Sequence, residues 1–240
     1  MDTWFKTPQG RRVADAFTAE LAPIYEQLKG ERLLQLGSCG ENRWLSLLKF
    51  NVKWLINPCL LPPKTAAVSS LTALPIERDS IDCIIAPLTL EAFERPKSPI
   101  DEIDRILKPM GYVIFFGVNP LSFWGAALRW NYLKCFGVVS SVTLMSSMTL
   151  KHEMMHRGYR QCFLDSFYYI PPVTSEYFID KLEFFNEMGK MIWPFPAGFY
   201  CLIMQKYQYV SPFMTSKQAE EDLVLGKKTS LQTISQWLHD

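Results

Sequence analysis

The chain has 240 residues, a formal net charge of +1, 48% apolar and 20% charged residues, which is the composition of a folded domain rather than a disordered chain. That length suits one moderately large domain, or one domain with an elaborated end. A near-neutral charge with no dense Lys/Arg run argues against a nucleic-acid surface, whose affinity rests on clustered cations.

In chain order, "VADAFTAELAPIYEQL" spaces Val13, Phe17, Leu21, Ile24 and Leu28 at helical intervals, which predicts an amphipathic helix ended by Lys29-Gly30. "RLLQL" reads as the first strand, "RWLSLLKF" as a helix with Trp44, Leu47 and Leu48 on one face, and "VKWLI" as a second strand. "LPPK" breaks the chain, and "SIDCIIAPL" has the uninterrupted apolar run of a parallel strand covered on both faces. Ser98 as N-cap, Pro99 at the first helical position and Asp101 closing an S-x-x-D box mark the next helix, with Ile100, Ile103, Ile106 and Leu107 as its stripe. "KPMG" then turns the chain into the buried strand "YVIFFGV". Strands alternating with helices predict an α/β domain with a mostly parallel sheet.

Beyond Pro120, helices are expected from Leu121 to Phe136 and up to about Arg157, where Gly158 lets the chain turn. "CFLDSFYYI" and "FYCLIMQKY" read as two late strands, separated by a helix near Ser175 to Met188 and the stiff loop "WPFPAG". The expected organisation is a domain over 1–210, including an N-terminal helical segment 1–30, and a polar tail 211–240 with a small helix around Leu231 to Leu238. The six cysteines are scattered, with no C-x-x-C pair, and several lie in apolar stretches as buried thiols do in a reducing compartment. "MDTWFKTPQGRR" lacks a cationic leader followed by an apolar core. The most apolar stretch, "YVIFFGVNPLSFWGAAL", is shorter than a membrane span and broken at Asn119-Pro120. A soluble, cytoplasmic protein with no membrane span is the expectation.

Three segments in order, "LLQLGSCGENRW", "LTALPIERDSIDCIIAPLTLE" and "DEIDRILKPMGYVIFFGVNP", resemble the class I S-adenosylmethionine-dependent methyltransferases of the type 11 group. Leu74, Pro75, Ser80 and Asp82 stand where that family has L-P-F-x-x-x-S-F-D. Glu102, Arg105, Leu107, Lys108, Pro109 and Gly111 stand in its E-x-x-R-V-L-K-P-G-G turn. "WFKTPQGRR" resembles an N-terminal W-F-x-T-P-x-G segment of some members. The resemblance implies a Rossmann-like seven-stranded sheet, mostly parallel with an antiparallel C-terminal hairpin. It implies S-adenosylmethionine as cofactor, bound at the carboxyl ends of the strands near the switch point. It places the cofactor against Gly37, Ser38, Cys39 and Gly40 in the loop, Asn57 after the second strand, Ser70 and Leu71, and Pro87.

The loop departs from the family's D-x-G-x-G-x-G. Gln35 stands at the acid, Gly37 at the first glycine, Cys39 at the second and Glu41 at the third, with Gly40 one residue out of register. Glu41 is expected to crowd or repel the methionine end of the cofactor. Asn57 replaces the acid that accepts both ribose hydroxyls and so loses a charge-assisted pair. Ser70 replaces the Asp that receives the adenine amino group. Weak cofactor binding is therefore expected. Two uses stay open: a methyltransferase acting on a small, largely apolar molecule, or an inactive relative that binds a protein partner. Methyl transfer needs chiefly alignment, and no residue here identifies a catalytic base.

Rival motifs weigh less. "HEMMH" at His152–His156 is a literal H-E-x-x-H, which on a helix could hold zinc with Glu153 as base and Glu176 as a third ligand, as in a zinc metallopeptidase. Gly158 closes that helix within a turn, so a solvated helix end and no metal is the expectation. "NPLSF" resembles an N-P-P-Y/F motif but follows the wrong strand, and Asn119-Pro120 reads as a strand-ending turn. Phe123, Trp124, Trp130, Tyr168, Tyr169, Trp193, Phe195 and Phe199 are expected mostly in the core, some lining an apolar pocket.

Overall fold

The computed structural model describes residues 4–57, 67–71, 73–91, 99–130, 144–173, 175–184, 186 and 196–207, all within a compact unit spanning Met1–Tyr207. The polar tail from 211 with its predicted helix, Ser98, Trp193, Phe195 and the end of the helix expected to reach Phe136 lie outside these residues.

Seven strands form one sheet: β1 (Arg32–Leu36), β2 (Val52–Asn57), β3 (Ala67–Val68), β4 (Ile81–Pro87), β5 (Leu107–Val118), β6 (Tyr159–Phe167) and β7 (Phe199–Lys206), in the order β3-β2-β1-β4-β5-β7-β6. The pairs from β3 through β5 are parallel, and β7 runs antiparallel between β5 and β6. The three predicted buried strands are neighbours at the centre: Leu33 pairs with Cys83, and Ile84 with Val113. Their apolar runs follow from burial on both faces. Leu33, Cys83, Ile85, Ile114 and Phe116 enter one layer, and Leu34, Leu36, Ile84, Val113 and Phe115 the other. The short β3 was not legible, since two residues carry no periodicity.

On the first face lies α1 (Pro8–Leu21), whose Val13, Phe17 and Leu21 are buried. Phe17 stacks on Phe116 at 4.3 Å, and Trp44, Phe167 and Phe199 close around it. The helix begins before the predicted Val13 because Thr7 caps it, accepting from Gly10 N–H at 3.1 Å, with Pro8 as first residue. It ends early, at Leu21, and turns carry the chain to Leu28. The opposite face is covered by α3 (Ile100–Ile106) and α5 (Ser147–His156), through Ile100, Ile103, Ile106, Leu150 and Met154.

Three local expectations are corrected. Pro99, not Ser98, is the N-cap of α3, without a side-chain cap bond. "KPMG" lies within β5, where Met110 takes φ +65° and the pairing with β4 shifts between Ile81 and Cys83. The helix predicted over 43–50 shrinks to α2 (Trp44–Leu47).

The family-like residues act as staples of this fold. Glu102 accepts from Leu74 N–H at 2.9 Å, and Arg105 donates to the carbonyls of Leu74 and Ile76 at 2.9 and 2.8 Å, fastening the Leu74-Pro75 segment to α3. Asp82 accepts from Lys108 Nζ at 2.8 Å and from the N–H groups of Glu31 and Arg32 at 3.1 and 2.9 Å. Burial by itself would raise the Asp82 carboxyl, but these donors outweigh it and hold it below the ordinary carboxylate range.

Candidate functional site

The carboxyl ends of β1, β2 and β4 converge at the point where the chain order of the parallel strands reverses, the place where open α/β sheets bind ligands. Gly37 follows β1 at φ +89° and donates its N–H to Ile56 O at 2.8 Å. A Cβ built on Gly37 would meet nothing within 4 Å among the described residues, which leave open space over this turn. Gly40, at φ +64°, faces the opposite condition: its Cβ would sit 3.0 Å from Phe5 Cβ. Positive φ and the close approach of the N-terminal segment both require glycine there. The single glycine out of register is therefore the one that lets Phe5 seat against the loop, with Trp4 edge-on to Trp124 at 5.6 Å.

The loop satisfies its own polar groups. Gln35 is fully buried; its amide donates to Gly37 O at 2.8 Å and Asn42 Oδ1 at 2.6 Å, and its Oε1 accepts from the Trp44 indole at 2.9 Å. Asn42 Oδ1 also accepts from Cys39 N–H at 2.9 Å, which removes one backbone donor from any ligand. Cys39 is buried, its thiol 3.8 Å from Pro87 O. Glu41 corrects its expectation. Its side chain is 75% exposed and held by Arg43 at 2.9 Å, and Arg43 also pairs with Asp15 of α1. It is turned to solvent rather than lodged in the loop.

Asn57 ends β2 and is buried, while its carbonyl accepts from Ser69 N–H at 3.2 Å. Ser70 is exposed, Leu71 beside it is buried, and Ser38 is half-buried. Gly37, Asn57 and Pro87 thus stand at the ends of the three converging strands, with Ser38–Gly40 in the loop after β1 and Ser70–Leu71 after β3.

After Pro87 a tight turn crosses from β1 to β5. Thr89 Oγ1 donates to Leu36 O at 2.8 Å, and Leu88, at φ +51°, donates its N–H to Phe116 O at 2.7 Å. A left-handed backbone costs a non-glycine residue roughly 1–2 kcal/mol, so the bonds on both sides must hold this turn. It presents Glu91. One carboxylate oxygen accepts from Val118 N–H at 2.8 Å; the other, Oε2, is buried with no hydrogen-bond partner among the described residues. Burial pushes this carboxyl up to about 7, against the N–H bonds that would lower it. Sequence reasoning missed Gln35, Asn42 and Glu91 as structural actors. For Glu91 the signal was an acid closing the apolar run "IIAPLTLE".

The remaining candidates fall elsewhere. His152 and His156 are exposed on α5, Glu153 pairs with Arg157 at 3.4 Å, and Glu176 opens α6 (Glu176–Leu182). Among the described residues no group of three or more His, Cys, Asp or Glu is placed to hold a metal. Asn119 N–H donates to Gly198 O at 3.0 Å, and Asn119 O accepts from Ser122, the N-cap of α4 (Phe123–Arg129), so Asn119-Pro120 is the strand-ending turn expected. Trp124, Tyr168 and Phe199 are core; Phe123 and Trp130 are exposed. No described helix is long and apolar enough to cross a membrane.

Residues 57–115 match the methyltransferase domain family. The strand order and the antiparallel β7 also agree with solved structures of that fold. A SAM dependent methyltransferase from Archaeoglobus fulgidus superposes with a TM-score of 0.55 at 16% identity, over 80% of this chain and 94% of that one. The chain thus has the fold of the S-adenosylmethionine-dependent methyltransferases, with the family match confined to residues 57–115. The Haloferax volcanii complex of the Trm112 methyltransferase activator with a putative methyltransferase matches this chain at TM-score 0.57 and 16% identity, covering 86% of this chain and 97% of that one. In sequence it is 25% identical over 124 residues to the uncharacterized protein YafS of Escherichia coli K12, which is 52% of this chain. The chain spans about half the length of that curated relative (51%).

The residues at the strand ends fit the family's cofactor, S-adenosylmethionine, in part. The buried Asn57 ends β2 beside this turn. The anionic anchors of the family pattern are replaced by neutral groups, and the loop's Cys39 N–H is already engaged.

Proposed function

We propose that the chain is a methyltransferase that binds S-adenosylmethionine weakly and acts on a small, largely apolar acceptor. The observation that carries this reading is the open space over Gly37, among the described residues, at the convergence of β1, β2 and β4. When bound, S-adenosylmethionine would supply an activated methyl group. The chain's own part is positional. Gly37 leaves room for close approach, Asn57 offers a neutral partner to a ribose hydroxyl, and the fixed turn Pro87–Glu91 forms the wall toward β5.

Weak binding follows from the replacements. Each lost charge-assisted partner costs on the order of 1–3 kcal/mol, and the Gln35–Asn42–Cys39 network must either stay closed or be broken when a carboxylate arrives. An apolar acceptor is supported by the near-neutral net charge of the chain. The test is transfer of an isotopically labelled methyl group from S-adenosylmethionine into a metabolite extract. Label in an organic-soluble small molecule is expected. Label in nucleic acid, or no transfer at all, contradicts the proposal.

A further inference from the structure

Among the described residues Glu91 is the sole buried Asp, Glu, Lys, Arg or His. A buried charge without a partner is strongly unfavourable, and a buried carboxyl with an idle oxygen calls for a ligand or a reason. Its fixed oxygen is tied to Val118 N–H at the end of β5; its idle oxygen lies at the end of a turn clamped to both β1 and β5. Among the described residues no group bonds this second oxygen. Tyr200 of β7 is the titratable neighbour that feels its charge, burial raises that phenol far above its usual range, and its hydroxyl donates to Met145 O at 3.1 Å instead.

Gln35, Asn57 and Ser70 are neutral where the family pattern has acids, and Glu41 is paired with Arg43. S-adenosylmethionine carries a positive sulfonium; its product, S-adenosylhomocysteine, has a neutral thioether at that atom. We propose that Glu91 is the anionic partner of the sulfonium, making this site selective for the charged cofactor over its product. The inference rests on the methyltransferase reading. Glu91 stands protonated in the empty site at acid pH, and the cation's arrival favours its carboxylate, so the carboxyl proton passes to the buffer as the cofactor binds.

The sign of the pH dependence follows. The cofactor prefers the deprotonated site, so its affinity rises by up to about tenfold per pH unit on approaching 7 from below and then levels. The experiment is calorimetric titration of the full chain and of Glu91→Gln with S-adenosylmethionine and with S-adenosylhomocysteine. It is run at about pH 6, where both ligands' amino groups are protonated, in buffers of different ionisation enthalpy. For the wild type, release approaching one proton per S-adenosylmethionine and none per S-adenosylhomocysteine is expected. In Glu91→Gln the release disappears and the preference for the cation falls about tenfold or more, while S-adenosylhomocysteine binding is unchanged, which also shows that the variant is folded. Equal proton release for both ligands, or an unchanged preference in the variant, overturns the role of Glu91 alone. Should the variant not fold, the wild-type proton count decides. Binding of neither ligand to the wild type removes the methyltransferase reading and this inference with it.

Discussion

Replacing Gln35 with Leu removes the hub of the loop while nearly conserving its volume. The Trp44 indole N–H, fully buried, loses its acceptor at 2.9 Å, and an orphaned buried donor costs about 1–3 kcal/mol. Gly37 O and Asn42 Oδ1 lose their amide donor, adding about 0.5–1.5 kcal/mol each. Asn42 keeps Cys39 N–H, which holds that contribution toward the low end. The sum is roughly 2–5 kcal/mol, a large part of the about 5–15 kcal/mol of a typical domain. Urea unfolding followed by tryptophan fluorescence reads this as a midpoint lower by roughly 0.7–2.5 M, given slopes of about 2–3 kcal/mol per molar for a domain of this size. Gln35→Glu serves as the comparison: it keeps an acceptor for Trp44 but sets a carboxylate against Gly37 O and Asn42 Oδ1 unless the Asn42 amide turns over. A Gln35→Leu variant within about 0.5 kcal/mol of the wild type, the range of an ordinary surface change, would refute the idea that this network holds the loop.

Gly40→Ala combines a left-handed backbone with a Cβ only 3.0 Å from Phe5, so thermal unfolding should register a loss of roughly 1–3 kcal/mol. Glu91, ordinarily near 4.5 and raised by burial to about 7, takes up a proton on folding; stability should therefore fall between about pH 4.5 and 7 by on the order of 3 kcal/mol and then level. Urea titrations across that range should show the slope vanishing in Glu91→Gln. Asn57→Asp with Ser70→Asp returns two anionic groups, and fluorescence-monitored binding should show S-adenosylmethionine affinity higher by roughly tenfold or more.

The fold was legible because the family-like residues are those that hold it. Glu102, Arg105, Asp82 and Lys108 each bind backbone or one another across elements, and the central strands announced themselves by being buried on both faces. Local boundaries were less legible: α1 starts at a Thr7 cap that no apolar periodicity marks, and "KPMG" lies within β5 although the pairing with β4 shifts across it. At the site, spacing located Gly37, Asn57 and Pro87 at the strand ends. It misread Glu41, because an exposed ion pair with Arg43 depends on α1 coming alongside, which no local pattern encodes. Gln35 looked like a lost acid and is instead the hydrogen-bonding centre of the loop, a role that needs both Asn42 at positive φ and the Trp44 indole in place.

The central claim is that the strand ends keep a cofactor site of reduced affinity. Calorimetric titration of the whole chain with S-adenosylmethionine at neutral pH tests it most directly. Three weakened contacts predict a saturable one-to-one isotherm with a Kd of about 10⁻⁴ to 10⁻³ M. A Kd in the low micromolar range (about 10⁻⁶ M) would contradict the weakening ascribed to Gln35, Asn57 and Ser70, and no heat at millimolar ligand (about 10⁻³ M) would contradict the site itself.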